Sequence, residues 1–279
     1  MPQAWVNPVV LTALLVILVV VLALFLDTWY RRRGTKAEGW QRINAGIVGV
    51  LLIAIGTAIA QMNLVGRTEL ECRVLHHIAG SMWNTSEPFV RILFIARLIE
   101  VNKMPTRWER NLDYGVLITT ALYWIVAVVL LNMTLGSVVI DNLCIGIVDP
   151  AAGAFTFLFP QIIDIVTNVR LWQVLMKARS RNALQLLMTM TAGFCLASSV
   201  LSLISLLIIM QIIPFDTSLY TIWLTFQQAF DACSIALPTI IVRFARGQKT
   251  TQVTGPTQPM SSKQTSKQTS KQTAVFLKV

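Results

Sequence analysis

The chain has 279 residues, 55% of them hydrophobic and only 13% charged, with a mean hydropathy of +0.65. That is too apolar for an ordinary soluble domain, in which about 45–50% of residues are apolar. The net charge of +10 does not point to nucleic acid, because the Lys and Arg residues lie between apolar runs and in the tail, where a membrane topology puts them. Four cysteines are too few for a disulfide scaffold.

The expected fold is all-α, a bundle of seven transmembrane helices in residues 1–246 followed by a disordered tail over 247–279. Residues 8–28 carry no charge until Asp27 and at about 1.5 Å per residue cross a hydrocarbon core of about 30 Å. The Arg31, Arg32, Arg33 cluster follows this run, the reverse of a cleaved signal peptide. The second span, 43–63, carries Gly46, Gly49 and Gly56 on one face, which lets a neighbouring helix approach closely.

The third span, from Cys72 to Glu100, holds His76, His77, Asn84, Glu87, Arg91 and Arg97 where a lipid-facing helix would carry leucines. Pro88 removes an amide donor within it and is expected to kink it about one turn back. The fourth span covers 113–133 and the fifth 151–176. The sixth covers 183–213 and the seventh 219–244. The tail repeats SKQT three times from Ser262 and has too little apolar surface to fold alone; its serines and threonines beside lysines are candidate phosphate acceptors.

Orientation is read from the positive charges. Lys and Arg collect after the first, third, fifth and seventh spans, while the loops after the fourth and sixth have none. In the loop after the second, Arg67 and Arg73 are balanced by Glu69 and Glu71. Basic short loops remain cytoplasmic, so the N-terminus is expected outside and the C-terminus inside.

An ionisable group in hydrocarbon costs about 2.5–3.5 kcal/mol on an insertion scale and persists when paired or functional. Glu87 and Arg91 are four apart and can pair on one helix face. Gln161, Asp164 and Asn168 form a stripe on the fifth span; Gln227, Asp231, Ser234 and Pro238 form another on the seventh. The spacing groups Glu87, Arg91, Asp164, Asn168 and Asp231 as an intramembrane polar network, either a structural lock on helix register or a ligand or ion site. Candidate contacts for a ligand entering from outside are His76, His77, Ser81, Trp83 and Asn84, with Gln227 and Asp231 on the seventh span. Adjacent histidines point to different sides of a helix, and no metal site is expected. No nucleophile–base pair or phosphate-binding glycine loop is present, so neither an enzymatic activity nor a cofactor is expected.

The topology resembles the seven-helix G-protein-coupled receptors of the rhodopsin type. The matching positions are Cys72 and Cys144, then Arg97 in Ala96-Arg97-Leu98, 25 residues after Cys72. Trp124, Pro160 and the Leu237-Pro238-Thr239-Ile240-Ile241 run follow. The departures are the absence of a mid-membrane asparagine in the first span, an aspartate in the second, a tryptophan-x-proline in the sixth, and an acidic partner and tyrosine flanking Arg97. The resemblance implies a Cys72–Cys144 disulfide, an extracellular ligand, coupling of Arg97 to a cytoplasmic G protein, and a place in the plasma membrane with the lipid bilayer as solvent. The alternative is a small-molecule or proton-coupled transporter. Pro160-Gln161 is similar to the motif of PQ-loop transporters, though the first span lacks a second copy. Without a lysine in the seventh span, a retinal protein is not expected.

Overall fold

The computed structural model describes residues 3–31, 38–63, 68–102, 105–140, 143–147, 149–177, 182–210, 212 and 217–252. The basic residues Arg32, Arg33, Lys36, Lys103, Arg179 and Arg181, with Arg67, Pro214 and the tail from 253 onward, lie outside the described residues. Among the described residues are seven helices: α1 (Gln3–Tyr30), α2 (Glu38–Met62), α3 (Glu69–Val101), α4 (Arg107–Thr134), α5 (Pro150–Lys177), α6 (Asn182–Ile209) and α7 (Thr217–Gln252). The chain divides into two compact units, Met1–Arg243 and Phe244–Val279. In the second, the described residues are the end of α7, which runs six residues into the segment expected to be tail.

The starts of three helices are written in the local sequence. Thr68 and Glu71 form a capping box at α3, and Thr106 and Glu109 form another at α4; each pair satisfies two backbone donors that the first turn leaves free. At α5, Asp149 accepts from the amides of Ala151 and Ala152 at 2.9 and 3.1 Å, and Pro150 occupies the first helical position, where its missing N–H costs nothing. The caps lengthen α3 and α4 beyond the apolar runs, so α4 begins at Arg107 and not at residue 113.

The described residues are all-helical, as expected, apart from one pair of short strands in a connection. Between α4 and α5 the chain forms an antiparallel hairpin of β1 (Gly136–Ile140) and β2 (Leu143–Ile147), with Val139 opposite Cys144. Its β-branched residues (Val138, Val139, Ile140, Ile145 and Ile147) favour an extended backbone. The hairpin leaves the fold class all-α, and it is not legible in the sequence because two five-residue strands are too short to show a period against apolar helices.

Five helices contain segments long and apolar enough to cross a membrane: Pro8–Tyr30, Glu38–Met62, Arg107–Thr134, Ala151–Lys177 and Gln185–Ile208. The chain is therefore read as a multi-pass membrane protein. In α1 the buried residues Leu11, Leu14, Leu18, Val21 and Phe25 follow a three-four spacing, while Val16, Ile17, Val20 and Leu24 are exposed. A helix apolar on both sides fits protein on one face and hydrocarbon on the other. The opposite distribution holds for α3, where residues 84–101 carry no exposed position.

The α2–α3 contact depends on two of the three glycines singled out above. A Cβ on Gly46 would lie 2.6 Å from Leu93 Cδ2, and one on Gly56 would lie 3.3 Å from Met82 Sδ. Gly49 has nothing within 4 Å of that position, so it does not belong to the contact. The apolar core joins residues of α1, α2, α3, α5, α6 and α7, with Phe25, Ile47, Phe94, Leu171, Met188 and Ile235 among its least exposed members.

Candidate functional site

Cys72, at the start of α3, is bonded to Cys144 of β2 with their Cα atoms 5.5 Å apart. This fixes the hairpin to α3 and defines one end of the bundle. Beside it, His76 Nε2 lies 3.3 Å from the Cys144 carbonyl oxygen. The Cys72 and Cys144 sulfurs and a ring nitrogen of His76 lie within 4.8 Å of one another. The sulfurs are joined, however, and a metal takes a thiolate; the closed disulfide leaves no such ligand set.

At the next residue of α3, His77 Nδ1 lies 3.5 Å from Asn132 Oδ1, and one turn further along the Ser81 hydroxyl donates to the same oxygen at 3.1 Å. Trp83 packs on Phe157 with ring centroids 5.2 Å apart. Nearby, the Tyr123 hydroxyl donates to the Thr156 carbonyl at 2.7 Å and its ring stacks on Phe159. Asn84 is buried. The hairpin-end residues of the candidate ligand set are thus turned toward β2, α4 and α5.

The remaining members lie elsewhere. Gln227 is fully enclosed between α7 and α6, donating to Ser202 at 2.9 Å and accepting from Ser205; Trp223 donates to Ser205 at 2.7 Å. Ser198 donates to Asp231 at 2.5 Å. Ser198, Ser202 and Ser205 are spaced four and three, one face of α6. Trp223, Gln227 and Asp231 match them on α7. Sequence reasoning found the α7 stripe and missed its partner, because serine alone on an apolar helix is a weak signal; its spacing is what carries it. Gln228 bridges three helices, donating to Ser86 of α3 at 2.7 Å and Thr57 of α2 at 3.1 Å.

The centre of the site is ionic. Arg91 makes a bidentate pair with Asp164, Nε to Oδ1 and Nη2 to Oδ2, both at 2.9 Å. Its Nη1 lies 3.1 Å from Glu87 Oε1 and donates to the Glu87 carbonyl at 3.2 Å. The four-residue spacing thus produces the expected pair, and the flat guanidinium fork matches the carboxylate of α5. Asn168 donates to the Asp164 carbonyl at 2.9 Å and to Ser199 at 3.3 Å. Glu87, Arg91, Asp164 and Asp231 are each no more than 5% exposed. The expected network is present, but Asp231 joins it through no direct bond; its partner is Ser198.

Arg97, which the resemblance matches to a G-protein-coupling position, is enclosed within the bundle. It is 0% exposed and reaches α7, where Nη2 donates to the Ile235 carbonyl at 2.7 Å and to Thr239 Oγ1 at 3.2 Å.

A second buried ion cluster, which the sequence reading did not find, joins α4 to α5. Arg170 pairs with Asp113 at 2.8 and 3.0 Å and with Glu109 at 3.2 Å. Lys177 reaches the same Glu109 oxygen at 2.5 Å. Starting the fourth span at residue 113 leaves Glu109 in a loop and hides the Glu109, Asp113 spacing that carries the signal. No protein-family model matches the chain, and no curated protein is found similar to it.

Proposed function

We propose that this is a seven-span receptor of the plasma membrane, N-terminus outside and C-terminus cytoplasmic, that binds an extracellular ligand and signals to a heterotrimeric G protein. In this reading α3 and α7 also cross the membrane, which raises the five apolar spans to seven. With 33 and 36 residues they are about 50 Å long or more, longer than the hydrocarbon core. They fall outside the apolar set because they carry the polar groups that face each other inside the bundle.

The observation that carries the reading is the triple attachment of α3. It is joined to the hairpin by Cys72–Cys144, to α5 by Arg91–Asp164, and to α7 by Arg97 on the Ile235 carbonyl. A ligand displacing the hairpin end would act on one enclosed helix whose far end is packed in the core and tied to α7 by hydrogen bonds with no opposite charge. Such an arrangement supports a two-position element for signalling. The ligand would exchange for the contacts that His76, His77 and Ser81 make with Cys144 and Asn132, and would bear through Trp83 and Asn84 toward Gln227 and Asp231.

The test is nucleotide exchange on a panel of G-protein α subunits in membranes containing the chain. Exchange above background with at least one subunit, lost in Arg97→Ala, is the expected result. Solute or proton flux in liposomes with no exchange on any subunit would overturn it. The second reading, a proton-coupled transporter, rests on a specific imbalance: Glu87, Asp164 and Asp231 surround the single cation Arg91. Such a cluster binds protons or cations when its carboxylates lose water. Flux lost in Glu87→Gln or Asp231→Asn would establish it.

A further inference from the structure

A proline inside a helix has no amide hydrogen, so the carbonyl four residues earlier loses its helical donor. In α5 the proline is Pro160, and the carbonyl left open is that of Thr156. Thr156 is 1% exposed, and a buried carbonyl away from water costs free energy until a donor meets it. The donor comes from another helix: the Tyr123 hydroxyl of α4 lies 2.7 Å from the Thr156 carbonyl oxygen. Tyr123 is itself buried, and Phe155 and Phe159 of α5 hold its ring, with centroids 5.8 and 4.8 Å away. The gap that Pro160 opens in α5 is thus closed by α4.

The two parts of α5 are secured by different means. Beyond the proline, Asp164 pairs with Arg91 of α3 and Asn168 bonds to Ser199 of α6. Arg170 pairs with Asp113 and Glu109 of α4, and Lys177 pairs with Glu109. Before the proline, over 150–159, the Tyr123 hydroxyl makes the one hydrogen bond to another helix among the described residues. Ring contacts complete the attachment, among them Trp83 of α3 on Phe157. A helix bends most readily where its ladder of backbone bonds is interrupted, and here the interruption separates a part held by ion pairs from a part held by a neutral bond.

We propose that α5 is hinged at Pro160 and that the Tyr123 hydroxyl is the latch of the hinge. While the hydroxyl holds the Thr156 carbonyl, residues 150–159 stay against α4. When it releases, water takes the carbonyl and that part of the helix swings away, while 161–177 remain on their ion pairs. Trp83, one of the candidate ligand contacts, packs on the residue next to Thr156, so a molecule that moves Trp83 bears on the latch. The device does not depend on whether the chain signals or transports.

Electron-paramagnetic-resonance distances in the full chain, reconstituted in lipid nanodiscs with Cys195→Ala and Cys233→Ala, test the hinge. One pair of spin labels replaces the exposed residues Met133 of α4 and Ala151 of α5, before the proline; a second replaces the exposed Tyr114 and Met176, beyond it. Tyr123→Phe keeps the ring and removes the hydroxyl. It should raise the population of a longer Met133–Ala151 distance by about ten-fold, the factor equal to about 1.4 kcal/mol and within the cost of an unmet buried carbonyl, and leave the Tyr114–Met176 distance unchanged. In Pro160→Ala the amide of residue 160 meets the Thr156 carbonyl, so adding Tyr123→Phe should produce no longer distance. No change in Tyr123→Phe would overturn the proposal, as would the same change in the Pro160→Ala background. Equal broadening of both pairs would also overturn it, by making Tyr123 an ordinary stabilising contact.

Discussion

Replacing Arg91 by Met tests the central network most directly. The substitution keeps much of the side chain's length and apolar stem but removes the bidentate pair with Asp164 and the contact with Glu87, leaving two carboxylates that are 3% and 5% exposed. Breaking a buried pair by removing one partner costs about 3–5 kcal/mol, mostly the penalty on the charge left behind. Replacing both partners by apolar residues of similar shape is often close to neutral. Arg91→Met should therefore lose about 3–5 kcal/mol, and Arg91→Met with Asp164→Leu should regain most of it. Glu87→Gln added to that pair removes the last unpaired carboxylate and should regain the rest. The natural reporter is Cys195 and Cys233, both free and buried, which a thiol-reactive dye labels when the bundle opens. An Arg91→Met protein as stable as the wild type, or a double variant no better than the single one, would refute the ionic account.

Three further outcomes follow from other contacts. Cys72→Ser should cost about 2–4 kcal/mol and remove the effect of reducing agents on the unfolding midpoint, because the disulfide closes a segment with a sequence separation of 72. Arg170→Met should cost about 3–5 kcal/mol, since Asp113 loses both of its bonds in a buried setting. Lys177→Ala should cost under about 1 kcal/mol, because Lys177 is 53% exposed and solvent screens its pair; thermal melts of the two variants side by side check the contrast. Gly46→Leu should cost about 1–3 kcal/mol by overpacking against Leu93, whereas Gly49→Ala, with open space at its Cβ, should be neutral or gain up to about 1 kcal/mol of helix propensity, again read from unfolding midpoints.

What could be read from sequence was whatever depends on spacing within one helix. Glu87 and Arg91 are four apart, so their pairing follows from helical geometry alone. The same holds for the Asp164, Asn168 stripe and for Gln227 with Asp231. The partners across helices were legible only where both sides carried an unusual residue: Arg91 and Asp164 stand out in apolar runs, while Ser198, Ser202 and Ser205 do not. Glu109 and Asp113 were hidden for another reason. An apolar run marks where lipid begins, not where the helix begins, and a capping box extends α4 by six residues ahead of 113. The hairpin was invisible because its apolar residues blend with those of the flanking helices.

The fate of Arg97 shows why a position can be foreseen without its environment. Twenty-five residues after Cys72 is about seven helical turns, enough to place Arg97 at the opposite end of α3. The same spacing returns Arg97 to within about 20° of the helix face that carries Cys72, but what that face meets at the far end is decided by packing. Phe94 and Leu98, on either side of it, are both buried, and an enclosed stretch with no exposed face leaves an arginine no route to solvent except along its own length. It turns instead to α7, where the Ile235 carbonyl and the Thr239 hydroxyl offer acceptors one turn apart. The two α7 acceptors offset part of the cost of enclosing that charge, and the packing of Phe94 and Leu98 holds it there.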